Sequence, residues 1–259
     1  MSDIRYILGM RVDVMSYQSA TRDIVEWGRA GTSRYICIAN THMVMESYDD
    51  DTFRRIVNAA DLVTPDGMPI VWGLQFLGVK RASRVYGPDL MLSVLAAAER
   101  ENLGIGFYGG SPETLGSLKT VVMERFPKLK ISYAASPPFR PLMYEEDTRV
   151  VDDINASGVR VLFVGLGCPK QEHWMAEHVG RIRAVMVGVG AAFDFIARVK
   201  PQAPRWMMGA GLEWLFRLAI EPGRLWRRYL WHNPRFVALF AMQLLGKNSL
   251  RESNGNENR

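Results

Sequence analysis

Six short apolar runs recur along the chain: 35–39, 62–64, 105–108, 131–133, 159–164 and 184–189. Most are continuous rather than alternating, the pattern of strands buried on both faces of a parallel sheet. Stretches with helix starts lie between them. Ser111 followed by Pro112 sets an N-cap and a proline at the first helical position. Pro88-Asp89 precedes an apolar helix, and Pro169-Lys-Gln-Glu opens another after Gly165-Leu-Gly167. This alternation predicts βαβ units with right-handed crossovers. Residues 1–195 read as one doubly wound α/β domain. After residue 196 the strand signals stop, and 203–220, 223–231 and 233–245 read as helices broken at Pro222-Gly223 and Pro234. The tail after Gly246, residues 247–259, is polar and expected to be disordered.

At 259 residues with 48% hydrophobic positions, the chain is long enough for a sizeable core. Cys37 and Cys168 stand far apart without CxxC partners, which argues against a disulfide framework or a cysteine-held metal. The opening MSDIRYILGM lacks a basic segment followed by a long apolar one, so no secretory signal is expected. No apolar stretch reaches the ~18 residues of a membrane span. The net charge of +5 is concentrated: 198–235 carries eight Lys or Arg against Glu213 and Glu221. Tryptophans interleave with these cations, which fits an interfacial helix at an anionic membrane better than nucleic acid, for which no binding motif appears.

Several glycine turns follow the buried runs, where open α/β sheets bind ligands. Gly104 to Gly109 spells G-x-G-x-x-G, but the pattern runs through a strand instead of following it. The usable turn is Gly109-Gly110, and a second is Gly167 with Lys170 and Gln171 in the next helical turn. Lysine there opposes the helix dipole unless an anion sits nearby. A third turn leads to Asp194. The stretch TPDGMP places Asp66 between proline and glycine at a strand end, as a turn residue or as a base. Literal D-x-D spacing occurs only in Asp49-Asp50-Asp51, which reads as a helix start. His42, His173, His178 and His232 lack zinc-like spacing, and no metal is predicted. No G-x-S-x-G elbow appears.

The stretches ANTHMVMES, ADLVTPDGMPIVWGLQFLG, RVYGPDLM, FYGGSPETL, VLFVGLGCPKQEHWM, VGVGAAFDFIA and APRWMMGAGLEWLFRLAIEPGRLWRRYLWHNPRF together resemble the WecG/TagA/CpsF family of bacterial glycosyltransferases, family 26, in its exopolysaccharide or capsule form. The resemblance runs in order from about residue 35 to 236. It implies a Rossmann-like core with a helical C-terminal appendage, 196–246, that completes the active site and meets the inner face of the cytoplasmic membrane. It implies inverting, metal-independent transfer from a UDP-sugar to a sugar on undecaprenyl diphosphate, with no cofactor. Carried over residue by residue, Asp66 is the base, Asn40 and Gln171 are catalytic, and Asp194, Arg217, Arg224 and Arg227 bind substrate; Gly109, Gly110, Gly167 and Lys170 join them as substrate-binding candidates from the turns themselves. One departure is Ile38, where many members carry threonine. Two other classes stay open from the residues: a nicotinamide-dependent oxidoreductase and a non-catalytic membrane-docking protein. Donor, acceptor, linkage and any homo-oligomer stay open as well.

Overall fold

The structure, a computed structural model, describes residues 3–246. Met1, Ser2 and the tail expected to be disordered lie outside the described residues. The chain opens with an antiparallel hairpin, β1 (Asp3–Ile7) and β2 (Met10–Val14). Leu8 and Gly9 turn it, with φ of 51° and 81°. Two left-handed residues match the twist of a two-residue hairpin. The sequence reading missed this element because its signal, an Asn-Gly or Asp-Gly pair, is replaced by a leucine that pays for φ > 0. That leucine is buried, and its N–H donates to Gln243 Oε1 at 2.8 Å.

Strands and helices then alternate: α1 (Tyr17–Ala30), β3 (Arg34–Ala39), α2 (Thr41–Asp49), α3 (Asp51–Asn58), β4 (Leu62–Pro65), α4 (Met68–Phe76), α5 (Gly87–Arg100), β5 (Ile105–Gly109), α6 (Pro112–Arg125), β6 (Ile131–Ala135), α7 (Tyr144–Ala156), β7 (Val161–Gly165), α8 (Lys170–His178), β8 (Val185–Gly188) and α9 (Ala192–Ile196). The six strands β3 to β8 form one parallel sheet in the order β4-β3-β8-β7-β5-β6. They are the six apolar runs of the sequence. Every residue of β5 and β8 is buried, as continuous hydrophobicity demands of central strands, whereas edge strand β6 is only half-buried.

Each face carries a core. Ile24 of α1, Val94 and Leu95 of α5, and Leu118 and Val122 of α6 cover one face. Met43, Phe53, Ile70, Ile154 and Met175 cover the other, from α2, α3, α4, α7 and α8. The sheet is therefore doubly wound and Rossmann-like. The glycines of the literal G-x-G-x-x-G serve close packing: a Cβ on Gly106 would stand 2.7 Å from Leu162 Cδ1, and one on Gly109 2.6 Å from the Gly165 backbone.

Beyond α9 the described chain is helical: α10 (Arg205–Gly209), α11 (Glu213–Ile220) and α12 (Pro222–Leu244). Two boundaries differ from expectation. The stretch 203–220 is two helices, because Gly211 turns left-handed at φ 73° and a Cβ there would strike Trp72 at 2.6 Å. Conversely, Pro234 does not break α12, which runs through it for 23 residues. An interior proline costs about 3 kcal/mol. Burial of Phe236 and Phe240 in the second core returns roughly 1.5–3 kcal/mol each, and Arg235 grips Asp49 with two hydrogen bonds of 2.7 and 2.8 Å.

Candidate active site

Parallel strands bring their C-terminal ends to one edge of the sheet, so Asp66, Asn40, the Gly188–Gly190 turn, Gly167 and Gly109-Gly110 stand in a row there. Strand spacing of about 4.8 Å puts the β4 and β5 ends, four strands apart, roughly 19 Å from each other. Asp66 and the Gly109-Gly110 turn thus stand at opposite ends of that row.

Asp66 stands where β4 ends. Its N–H donates to Ala39 O at 2.7 Å, and Gly67, with φ 91°, turns the chain into α4. The carboxylate is 15% exposed, and Oδ1 accepts from Arg84 Nε at 2.9 Å. Arg84 reaches a second acid: its Nη2 donates to Glu213 Oε2 on α11 at 2.6 Å. The guanidinium lies 4.3 Å from the Tyr86 ring centroid. Burial pushes the Asp66 carboxyl up to about 6 from its ordinary 3.8. Arg84 opposes that rise, Glu213 adds to it, and a hydrogen bond from the Gly87 backbone holds it down a little. A carboxyl poised there is ionised at neutral pH yet basic enough to take a proton.

Neither Arg84 nor Glu213 was singled out as a site residue. The two are 129 positions apart, so no spacing rule joins them. A signal did exist: Glu213 is one of two acids among the eight cations of 198–235.

Asn40 caps α2, its Oδ1 accepting from Met43 N at 3.1 Å. Gln171 is buried and straps two turns together. Its Oε1 accepts from Gly167 N at 3.2 Å and Gly190 N at 3.0 Å, and its Nε2 donates to Glu172 Oε1 at 2.7 Å. Burial raises Glu172 to about 7. The amide oxygen of Gln171 is therefore committed to shaping the β7 and β8 turns. Lys170 is exposed at the start of α8, and Gly167 holds φ 82° with open space where a Cβ would be. Gly110 O accepts from Ser136 Oγ at 2.6 Å, and Ser111 caps α6 as expected.

Asp194 is engaged by Lys200 Nζ at 2.8 Å, and the same ammonium reaches Glu221 Oε1 at 3.0 Å, tying α9 to the start of α12. Arg224 pairs with Glu221. Arg217 sits over the Phe195 ring at 5.5 Å. Because α11 and α12 are separate helices, the sevenfold spacing from Arg217 to Arg224 does not run along one helix face. Arg227 is exposed and lies 5.2 Å from the Trp226 ring. Arg228 also lies in the field of Arg217 and Arg224: burial lowers its pKa, and both arginines push it the same way. An anion between these helices would relieve that repulsion.

Along α10, α11 and α12, Trp206, Leu215, Trp226, Leu230, Trp231 and Val237 are exposed. Among the described residues no helix is long and apolar enough to cross a membrane. The triple aspartate is consumed by structure: Asp49 binds Arg235, Asp50 caps α3 and Asp51 pairs with Arg54. One group of metal-ligating side chains does converge among the described residues, His42, Glu46 and His232. A groove of about 500 Å³ between α5, α6 and 195–205 contains none of the expected site residues.

The sequence matches the glycosyl transferase WecG/TagA/CpsF family over residues 5–250. An N-acetylglucosaminyldiphosphoundecaprenol N-acetyl-beta-D-mannosaminyltransferase of Bacillus spizizenii is 31% identical over 205 residues, covering 78% of this chain and 77% of that protein. The chain belongs to the WecG/TagA/CpsF family and is a glycosyltransferase.

Proposed function

We propose that this glycosyltransferase moves one sugar from a UDP-sugar to a sugar carried on undecaprenyl diphosphate, inverting the anomeric centre without a metal in the transfer step. Asp66 takes the proton from an acceptor hydroxyl as that oxygen bonds to the anomeric carbon. The bond from that carbon to the β-phosphate oxygen breaks, and UDP leaves with the electron pair. The observation that carries the reading is the partly buried Asp66 carboxylate at a strand end, held by Arg84, which also reaches Glu213; its raised pKa agrees. A general base contributes typically ~10²–10⁴-fold.

The other residues take supporting roles. Arg217, Arg224 and Arg228 bear on a diphosphate, from the donor or from the lipid carrier, since arginine matches phosphate bidentately. The α6 and α8 N-termini, with Gly110, Gly167 and Lys170, offer positive ends to phosphate. The exposed tryptophans and Leu230 support docking of the appendage at the cytoplasmic face of the membrane, beside a lipid-linked acceptor. The relative's printed activity supports N-acetylglucosamine on diphosphoundecaprenol as acceptor.

A UDP-release assay over a panel of UDP-sugars, with short-chain lipid-diphosphate acceptors, tests this. The expected result is acceptor-dependent UDP release that Asp66→Asn reduces by roughly 10²-fold or more. Near wild-type release by a folded Asp66→Asn variant overturns the role of Asp66. Absence of release with every sugar, alongside vesicle binding, favours a docking protein.

A further inference from the structure

The transfer chemistry makes no use of three side chains where α2 meets α12. His42 and Glu46 stand one helical turn apart on α2, and His232 reaches them from α12. His42 Nδ1 lies 3.4 Å from Glu46 Oε1, and His232 Nε2 lies 3.8 Å from the same oxygen. The two rings are 5.3 Å apart at 59°, and one ligand atom from each residue falls within 4.8 Å of the others. Tetrahedral zinc, with bonds of ~2.0–2.2 Å to nitrogen and oxygen, holds its ligand atoms about 3.4 Å from one another. The first contact already has that spacing, and the second needs a shift of a few tenths of an ångström.

The cluster is poorly satisfied by itself. His42 Nδ1 is buried without a hydrogen-bond partner, as is His232 Nδ1. The Cys168 backbone gives the His42 ring one hydrogen bond, which falls to Nε2 because Nδ1 has none. A carbonyl there requires N–H at Nε2. A neutral ring then turns the Nδ1 lone pair toward the Glu46 carboxylate, acceptor against acceptor. A cation bound at Nδ1 removes the conflict, and the Cys168 contact becomes the outer-shell bond that orients a metal-binding histidine.

We propose that His42, Glu46 and His232 form a three-ligand site for a divalent transition ion of the zinc class, with water in the fourth position. Two imidazoles and a carboxylate suit zinc over magnesium or calcium, which prefer all-oxygen sets. The ion clasps α12 to α2 just beyond the Arg235–Asp49 pair. The ion is assigned no step in sugar transfer and its binding is read without sugar substrates, so the site stands or falls separately from the proposed function. No sequence spacing pointed to it, because His42 and His232 are remote along the chain.

The test uses full-length protein dialysed against EDTA. Zinc titration by calorimetry is expected to show one ion per chain and a melting temperature that rises with zinc. Cobalt is expected to give the intense visible absorption of a tetrahedral N/O site. His232→Ala abolishes all three responses, and Glu46→Gln, conservative and partly exposed, weakens zinc at least about tenfold. His173→Ala, outside the cluster, leaves them unchanged. Absence of zinc binding to the wild type overturns the proposal, as does equal binding by folded Glu46→Gln and His232→Ala or loss of binding in His173→Ala alone.

Discussion

Arg84 is the residue on which the poise of Asp66 turns, and Arg84→Met isolates its effect. Burial and Glu213 raise the Asp66 carboxyl, while Arg84 holds it down, leaving it at about 6. Two unit charges about 4 Å apart at an effective dielectric of 20 interact by about 4 kcal/mol. That is an upper bound of about three pKa units at 1.36 kcal/mol each, and arginine beside aspartate commonly contributes one to three. Arg84→Met therefore moves the acidic limb of kcat/KM upward, from about 6 to between roughly 7 and 9. The base works ionised, so activity is lost as pH falls through that limb. With the limb near 8, activity at pH 7 drops roughly tenfold and recovers by pH 9–10. Glu213→Gln acts in the opposite direction, since it removes the repulsion and leaves Arg84 to Asp66 alone. UDP release measured from pH 5 to 10 in all three proteins checks this. A uniform loss at every pH in Arg84→Met, with the limb still near 6, refutes the electrostatic reasoning and makes Arg84 a substrate contact.

Two further outcomes are expected. Phe240→Ala removes a buried ring that stacks on Phe236 at 5.8 Å and faces Gly73, so equilibrium denaturation should show a loss of about 3–5 kcal/mol. Trp226→Glu combined with Trp231→Glu should weaken cosedimentation with anionic vesicles by about tenfold or more per residue, with little change in the melting temperature because both rings are exposed.

The sheet was legible because its strands are buried on both faces, and burial writes itself as continuous runs such as Val161 to Val164. The glycine turns were legible because strand ends and helix starts are local. What escaped depends on pairs distant in sequence. Arg84 joins Asp66 to Glu213, and Gln171 joins two turns through backbone groups that carry no side-chain signature. Pro234 misled for the opposite reason. Its local preference to break a helix is real, but Phe236 and Phe240 outweigh it through contacts that lie outside any window around the proline. The expected arginines Arg217, Arg224 and Arg227 span two helices, because the break before Pro222 separates α11 from α12.

The hairpin of β1 and β2 is fastened by a side chain that arrives very late. Gln243 donates to Tyr6 O and accepts from Leu8 N, both at 2.8 Å, across 235 positions to Leu8. A ribosome adding ~5–20 residues per second leaves that turn without its latch for roughly ten to fifty seconds. A two-stranded ribbon is marginal by itself in water; β2 finds early partners, with Asp13 accepting from Val63 N and Asn58 from Arg11 N, but the turn at Leu8 waits for the last turn of α12. The order of assembly therefore runs against the order of synthesis at this corner. Shortening α12 by a single turn should be felt first at the turn from Tyr6 to Gly9, as faster amide exchange at Leu8, well before the central sheet loosens.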